Sequence, residues 1–199
     1  MEHESDADLA QRASRGDDEA FAVLVRRYQN AVYEMSCRML GDRDAGLDAA
    51  QEVFLKAHGA LDRYDGNRKF STWILAIARN HCIDQIRKPA HRLSTSLTDE
   101  DRLPANGSED PRRAVEQAQE SRIIERAVDE LSANYKEAVM LYHFQGLSYA
   151  EAAEVQGVPI GTFMARLHRA RKQLREKLQP VLGADDGNAS ERHAHQRAG

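Results

Sequence analysis

The sequence predicts an all-α protein built from two small helical domains joined by a flexible linker. Three observations favour this fold class. Apolar residues recur every three or four positions in both halves of the chain, no convincing alternating strand pattern is present, and 6% of residues are aromatic while 30% are charged. A length of 199 residues is sufficient for one or two small domains with a hydrophobic core.

Composition excludes several classes of protein. No apolar run approaches the roughly 20 residues of a membrane-spanning helix, so we expect no membrane insertion. The acidic N-terminus lacks the hydrophobic stretch of a signal peptide. The two cysteines, Cys37 and Cys82, are too few for a disulfide framework and form no Cys-x-x-Cys pair for zinc. We therefore expect a protein of the reducing cytoplasm with no metal or other cofactor.

Charge is distributed unevenly along the chain, although its net value is only −4. Residues 63–88 carry six basic and two acidic side chains, and residues 164–178 carry six basic and one acidic. Acidic side chains are concentrated in residues 1–19 and 89–111. Two separate basic segments indicate two nucleic-acid contacts, which a small negative total does not exclude.

Charge and proline content divide the chain into five parts. Residues 89–111 hold three of the five prolines and show no helical or strand periodicity, which predicts an acidic linker. The predicted parts are an N-terminal segment (1–17), a first domain (18–88), the linker (89–111), a second domain (112–180) and a disordered tail (181–199).

Three helices are predicted in the first domain. Apolar spacing from Phe21 to Met39 predicts the first helix, and Gly41 ends it. The third helix runs from its predicted N-cap, Ser71, to Arg87, because the proline that follows disfavours helical backbone just before it. The second helix has a predicted apolar stripe of Leu47, Ala50, Phe54, Ala57 and Leu61.

Another face of the second helix is typical of a protein-docking patch. It places one exposed leucine among polar side chains, which gives an apolar centre with a polar rim. An ordinary solvent-facing surface with one stray leucine is the alternative. The candidate docking residues are Asp48, Gln51, Glu52, Leu55 and Lys56.

A basic, glycine-containing loop at residues 63–70 leads into the third helix. Aromatic rings stack on unpaired bases while cations hold the nucleic-acid backbone, and an asparagine amide offers both a donor and an acceptor to a base edge. The alternative is that Phe70 and Trp73 are core anchors beside a surface loop. The candidate residues for binding opened DNA are Tyr64, Asn67, Arg68, Lys69, Trp73, Arg79 and Asn80.

The second domain is predicted to contain helices near residues 124–131 and 138–144, followed by a helix-turn-helix. Ser148 and Glu151 form a capping box that opens a short helix, and Gly157 supplies the turn. The next helix is long and basic, as in proteins that place such a helix in the DNA major groove. A helical hairpin with a solvated cationic face is the alternative. The candidate duplex-binding residues are Ser148, Thr162, Met164, Ala165, Arg166, His168, Arg169 and Arg171.

Two sets of motifs resemble those of bacterial extracytoplasmic-function sigma factors. Residues 48–57 and 70–80, followed by Asp84 and Arg87, are similar to region 2 of that family. Residues 146–171 are similar to its region 4. The resemblance implies a transcription initiation factor that is not an enzyme. Its implied partners are core RNA polymerase, through the β′ clamp helices and the β flap, promoter DNA, and an anti-sigma factor.

The resemblance also implies roles for individual positions. Asp48, Gln51 and Glu52 match the surface that docks on the β′ clamp helices. The basic loop and Asn80 match positions that capture flipped bases of the −10 promoter element. The helix that begins near Thr162 matches the one placed on the −35 element, and the linker would follow the RNA path of the polymerase.

The chain departs from the family at Met164 and Ala165, where polar or basic residues are frequent. Fewer hydrogen bonds to bases are then available. We therefore expect the −35 element to be recognised through DNA shape and apolar contacts to thymine methyl groups.

Two other functions follow from the residues alone. A stand-alone helix-turn-helix repressor would need no polymerase, but it leaves the docking patch and the basic loop unexplained. A nucleic-acid enzyme is disfavoured, because the eight histidines are mostly isolated and no carboxylate cluster or nucleophile motif accompanies them. The one close histidine pair, His193 and His195, lies in the predicted tail.

Overall fold

A computed structural model of the protein describes residues 4–88, here called the first half, and residues 121–182, the second half. It confirms the all-α class, since the described residues contain helices and no strand. The predicted linker, and the predicted tail beyond residue 182, lie outside the described residues. The helices are α1 (Asp6–Ser14), α2 (Asp18–Leu40), α3 (Arg43–His58), α4 (Phe70–Arg87), α5 (121–129), α6 (Ala133–Val139), α7 (Tyr149–Gln156) and α8 (Ile160–Leu182).

Helix boundaries in the first half follow local capping chemistry. The side chain of Asp17 accepts a hydrogen bond from the Ala20 amide at the start of α2, and Asp42 does the same for Ala45 at the start of α3. Gly41 ends α2 as predicted, in the left-handed conformation with φ of 74°.

The predicted N-cap of α4 was wrong. The helix begins at Phe70, so Ser71 lies inside its first turn, and the capping position belongs to Lys69 in an extended conformation. No side chain caps this end. The first-turn amides of α4 therefore lack a capping side chain, whereas the other end stops at Arg87 as expected.

The predicted apolar stripe of α3 was only partly correct. Ala50 and Ala57 are buried, but Leu47 is 50% exposed. The helix instead buries small residues, among them Gly46 and Ala49, against α2. Small side chains at these positions allow the backbones of α2 and α3 to approach closely, which fixes the position of the outer face of α3.

Helix α1 lies in the N-terminal segment that the sequence analysis separated from the first domain. It buries Leu9, Ala10 and Ala13 in the core and packs on α2 and on the 3₁₀ turn at Leu61–Arg63. The first half therefore contains four packed helices, with α1 beside the start of the basic loop.

In the second half the structure adds a distortion that the sequence did not reveal. The predicted helix over residues 138–144 is two elements, because α6 ends at Val139 and continues as a π-helical turn over Met140–Phe144. The amide of Gln145 donates to the carbonyl of Met140, five residues earlier. The turn stacks Tyr142 on Tyr149 of α7, with ring centroids 4.9 Å apart.

The helix-turn-helix is confirmed in its details. The capping box between Ser148 and Glu151 opens α7, and Gly157 turns the chain with φ of 67°. Helix α8 buries Phe163 and Leu167, while its other faces remain exposed. It continues to Leu182, slightly past the predicted domain end.

The two halves pack against each other, mainly through α4 and α7. Most of their buried apolar residues form one cluster that spans both halves, and Leu40, Ala49 and Cys82 form a second, smaller cluster in the first half. None of the described helices combines the length and the hydrophobicity needed to cross a membrane.

Candidate nucleic-acid and protein interface

The docking face of α3 is open to solvent. Asp48, Gln51, Glu52, Leu55 and Lys56 are all exposed, and Leu55, at 68%, has the highest exposure among the large apolar side chains of the described residues. Leu47 lies two turns earlier on the same helix and is also exposed. The face therefore has two apolar side chains bordered by carboxylates and one cation, which confirms the predicted exposed leucine.

One member of the docking face is held by α4. The Lys56 Nζ atom donates to the Nδ1 atom of buried His81 at 2.7 Å. Burial and the nearby Lys56 charge lower the pKa of His81, so the imidazole is neutral and accepts this hydrogen bond. The docking face is thus linked to the helix that carries Arg79 and Asn80.

The basic loop is folded by its own hydrogen bonds. The Tyr64 hydroxyl donates to the Arg68 carbonyl at 2.5 Å, and the Asn67 amide groups donate to the Asp65 carboxylate at 2.9 and 3.0 Å. These contacts hold Asn67, Arg68 and Lys69 exposed at the tip. The loop is therefore organised before any ligand binds.

The aromatic residues of this region contact one another. The Phe70 ring centroid lies 5.3 Å from those of both Tyr64 and Trp73, and Phe70 is 1% exposed. Phe70 is thus a core anchor, as the alternative stated. Trp73 and Tyr64 are half-buried and pack against the core, so each offers only part of a ring for stacking on a base.

A cavity of about 310 Å³ lies between the basic loop, α1 and α2. Its polar lining includes Asp6 and Tyr28, and the Tyr28 hydroxyl donates to the Asp6 carboxylate. Burial and this carboxylate raise the pKa of Tyr28. Arg27 pairs with the same carboxylate at 2.6 Å. The cavity is at the small end of the range for ligand pockets, and the loop forms one of its walls.

Three of the cationic side chains predicted to bind opened DNA form ion pairs with carboxylates of the second half. Arg68 pairs with Glu154, Lys69 Nζ lies 2.7 Å from Glu151 Oε1, and Arg79 pairs with Glu137. The sequence does not reveal these three glutamates as partners, because ion pairs between distant segments leave no local spacing signal. Asn80 is exposed beside them.

The first turns of α8 present a mixed surface. Thr162, Met164, Ala165, His168 and Arg169 are exposed, and Arg166 is half-buried. Ile160, which is not among the predicted duplex-binding residues, is 50% exposed one turn before Met164. The resulting surface is apolar at the start of the helix and cationic farther along.

Two candidate duplex-binding residues make intramolecular contacts. The Arg171 guanidinium lies 5.0 Å from the Tyr142 ring centroid, and its Nε donates to His143 at 3.2 Å. The Ser148 hydroxyl accepts from the Glu151 amide in the capping box. The π-helical turn therefore positions Arg171, and the start of α7 positions Ser148. Among the described residues no cluster of three metal-ligating side chains is present.

Comparisons with known proteins agree with both halves. Residues 24–92 match the family model of sigma-70 region 2, and residues 121–174 match that of sigma-70 region 4. The chain is 36% identical over 178 residues to the ECF RNA polymerase sigma factor SigW of Bacillus subtilis, covering 85% of this chain and 95% of the relative. It is 33% identical over 192 residues to the RNA polymerase sigma-H factor of Pseudomonas aeruginosa, covering 92% and 98%.

A solved structure with a similar fold is that of the sigma factor RpoE from Bartonella quintana in complex with the anti-sigma factor NepR. The TM-score is 0.66 at 26% sequence identity, with 80% of this chain and 96% of that chain covered.

Proposed function

Because the chain belongs to the extracytoplasmic-function family of RNA polymerase sigma factors, we propose that three of its surfaces serve separate steps of transcription initiation. As a member of this family it is an initiation factor that binds core RNA polymerase and directs it to promoters. It performs no covalent chemistry itself. The observation that carries the assignment is that one chain holds both sigma regions in order.

The docking face of α3 is the surface we assign to the β′ clamp helices. Its exposed Leu55 would be buried on binding, and the surrounding Asp48 and Glu52 would pair with cations of the polymerase. An apolar centre with a polar rim is the composition of protein–protein contacts, which supports this assignment. A second polymerase contact, to the β flap, we place on the second half.

Opened promoter DNA is assigned to the basic loop and α4. The cavity beside the loop would receive a flipped base of the −10 element, and Asn80 would read a base edge. Arg68 and Lys69 at the loop tip would contact the phosphate backbone. The organised loop supports this assignment, because a preformed site loses less entropy on binding.

Duplex DNA of the −35 element is assigned to α8. The first turns would face the major groove, while the cationic residues farther along would contact phosphates. Burial of Phe163 and Leu167 fixes the orientation of the helix relative to α7.

An anti-sigma factor is the regulatory partner that we propose, by analogy with the Bartonella protein found in complex with NepR. The protein would act in the cytoplasm, where core polymerase and promoters are located.

A stand-alone helix-turn-helix repressor is the weaker candidate, because it gives no role to region 2. Tight operator binding by the purified chain without polymerase would favour it.

The division of roles predicts different defects for Asn80→Ala and Asp48→Arg. We expect Asn80→Ala to lower promoter opening at least tenfold while polymerase binding is unchanged. The reason is the loss of one or two hydrogen bonds to a base, which together contribute about 1.4 kcal/mol or more. Asp48→Arg should weaken polymerase binding through charge reversal at the docking face. Fluorescence of a base analogue in the −10 element measures opening, and sedimentation with core polymerase measures binding. Equal loss of polymerase binding in both variants would contradict the division.

Met164→Lys is predicted to change the preferred −35 sequence. A lysine would lose the apolar contact to thymine methyl groups and would offer a hydrogen-bond donor to guanine. We expect the discrimination between bases at one position of the −35 element to change by about 1–3 kcal/mol. Run-off transcription with core polymerase on a library of promoters provides the measurement. The exposed, more distant Gln173→Lys adds the same charge to α8 and should leave the preference unchanged. An identical promoter profile for Met164→Lys and the unmodified protein would reject apolar readout.

A further inference from the structure

The region 4 half covers the cationic surface that region 2 offers to DNA. Three of the seven candidate residues for opened DNA, Arg68, Lys69 and Arg79, each pair with a glutamate of α6 or α7. All three glutamates come from the second half, and their partners lie on one surface formed by the basic loop and α4. The arrangement is therefore a charge-complementary interface between distant parts of one chain.

The ion pair between Arg79 and Glu137 is the most buried of the three. Their side chains are 17% and 8% exposed. The loop pairs are more open, since the side chains of Lys69 and Arg68 are 74% and 52% exposed. Exposed pairs contribute little individually and weaken in salt. The interface thus has one buried charge contact and a rim that solvent reaches.

Glu151 is ionised in this interface. Burial would raise its pKa, but hydrogen bonds from Lys69 and from the Ser148 hydroxyl and amide outweigh burial and lower the pKa. The same carboxylate therefore closes the capping box of α7 and neutralises a cation of the loop. A feature that folds the helix-turn-helix also fixes its contact with the first half.

Other contacts hold the halves together away from these glutamates. The Gln145 side-chain amide donates to the Ala31 carbonyl at 3.2 Å, next to the π-helical turn. The Arg38 guanidinium lies 4.1 Å from the Phe144 ring centroid and 3.8 Å from Glu125. Because these contacts involve α2 rather than α4, they set the orientation of the second half independently of the three glutamates.

We propose that α6 and α7 act as an intramolecular competitor of promoter DNA, with Glu137, Glu151 and Glu154 at positions where phosphates would otherwise neutralise Arg68, Lys69 and Arg79. In the free protein the −10 surface is closed. Opening requires the halves to separate, which exchanges these carboxylates for DNA phosphates once core polymerase holds each half. The competition with DNA rests on the proposed function, whereas the closed arrangement does not.

Zero-length crosslinking tests the closed arrangement on the unmodified full-length protein. Carbodiimide activates the Glu151 carboxylate, and the Lys69 amine 2.7 Å away would attack it to form an amide. Lys136 and Asp129, 2.8 Å apart within the second half, provide the positive control. Mass spectrometry should find both crosslinks in free protein, and core polymerase should remove only the one between Lys69 and Glu151. Its absence from free protein while the control forms would overturn the proposal.

Charge variants of the second half then test the competition with DNA. Glu154→Lys reverses one carboxylate at the interface, and Glu176→Lys makes the same charge change on α8, where Glu176 pairs with Lys172 of the same helix. We expect Glu154→Lys to bind a single-stranded −10 oligonucleotide about three- to fivefold more tightly than Glu176→Lys, measured by fluorescence anisotropy with circular dichroism to verify folding. Glu151→Gln combined with Glu154→Gln gives the same net change and keeps a capping side chain, should the reversal disturb folding.

The outcomes separate this proposal from the proposed function. Equal affinity of the interface variants and Glu176→Lys overturns the competition with DNA, even if the crosslink is present. Loss of the crosslink in Glu154→Lys together with tighter DNA binding supports it. Run-off transcription with core polymerase tests the proposed function separately. It measures initiation, which the proposed function requires whether or not the free protein is closed.

Discussion

Replacing Gly46 by alanine will destabilise the first half by about 2 kcal/mol, a fall in Tm of roughly 8–16 °C for a domain of this size. A methyl group at this position would lie 2.9 Å from both the Cα and the N atom of Cys37 in α2. Backbone atoms cannot rotate away, so α2 and α3 must separate. This cost exceeds the gain of about 1 kcal/mol that alanine brings to a helix interior.

Thermal unfolding followed by circular dichroism measures the Gly46→Ala effect, with Gly59→Ala as the matched control. A methyl group at residue 59 would lie 3.7 Å from the nearest atom, the Leu55 carbonyl oxygen, which is ordinary contact. The control should therefore unfold within about 0.5 kcal/mol of the unmodified protein. Because α3 carries the docking face, Gly46→Ala should also weaken polymerase binding. If Gly46→Ala unfolded at the same temperature as the unmodified protein, α2 and α3 would be less tightly apposed than the structure indicates.

Gly46 also shows why the sequence predicts α3 but not the face it buries. Two sets of positions on this helix recur every three or four residues: one contains Leu47 and Phe54, and the other contains Gly46, Ala49 and Val53. Hydrophobicity favours the first set. The structure buries the second, because the close approach of α2 leaves room only for small side chains. Periodicity identifies the helix, while the partner helix determines which side is inside.

Signals confined to one segment predicted the structure well. The capping box at Ser148, the left-handed glycines at 41 and 157, and the exposed Leu55 all depend on residues within a few positions of each other. The π-helical turn depends on how α6 packs, and neighbouring residues do not specify it. Local rules therefore gave the elements, and packing modified them.

The candidate site divides in the same way. Sequence identified the cations of the basic loop and α4, but not that Arg68, Lys69 and Arg79 are paired with glutamates 58 to 86 residues away along the chain. Charge complementarity to these cations does not single out the three glutamates, because many other acidic residues of the chain would satisfy it. Only the packing of the second half on the basic loop and α4 selects Glu137 of α6 and Glu151 and Glu154 of α7.

Glu137→Gln is the interface substitution with the largest expected effect. If the halves stayed together, the Arg79 guanidinium would remain largely buried without an opposing charge, at a cost of about 3–5 kcal/mol. Separation of the halves returns Arg79 to water and limits that cost to the free energy of opening. We therefore expect Glu137→Gln to populate the open form, seen as loss of the crosslink between Lys69 and Glu151 and a larger radius of gyration, with helix content retained.

A double variant distinguishes a requirement for charge from a requirement for contact. Arg79→Met with Glu137→Leu replaces the pair by apolar side chains of similar volume, which can be as stable as the buried pair they replace. The double variant should keep the crosslink between Lys69 and Glu151, although it lacks both charges. Glu137→Gln that retains the crosslink at the normal level would mean that apolar packing between α4 and α7, and not the neutralisation of Arg79, keeps the two halves closed.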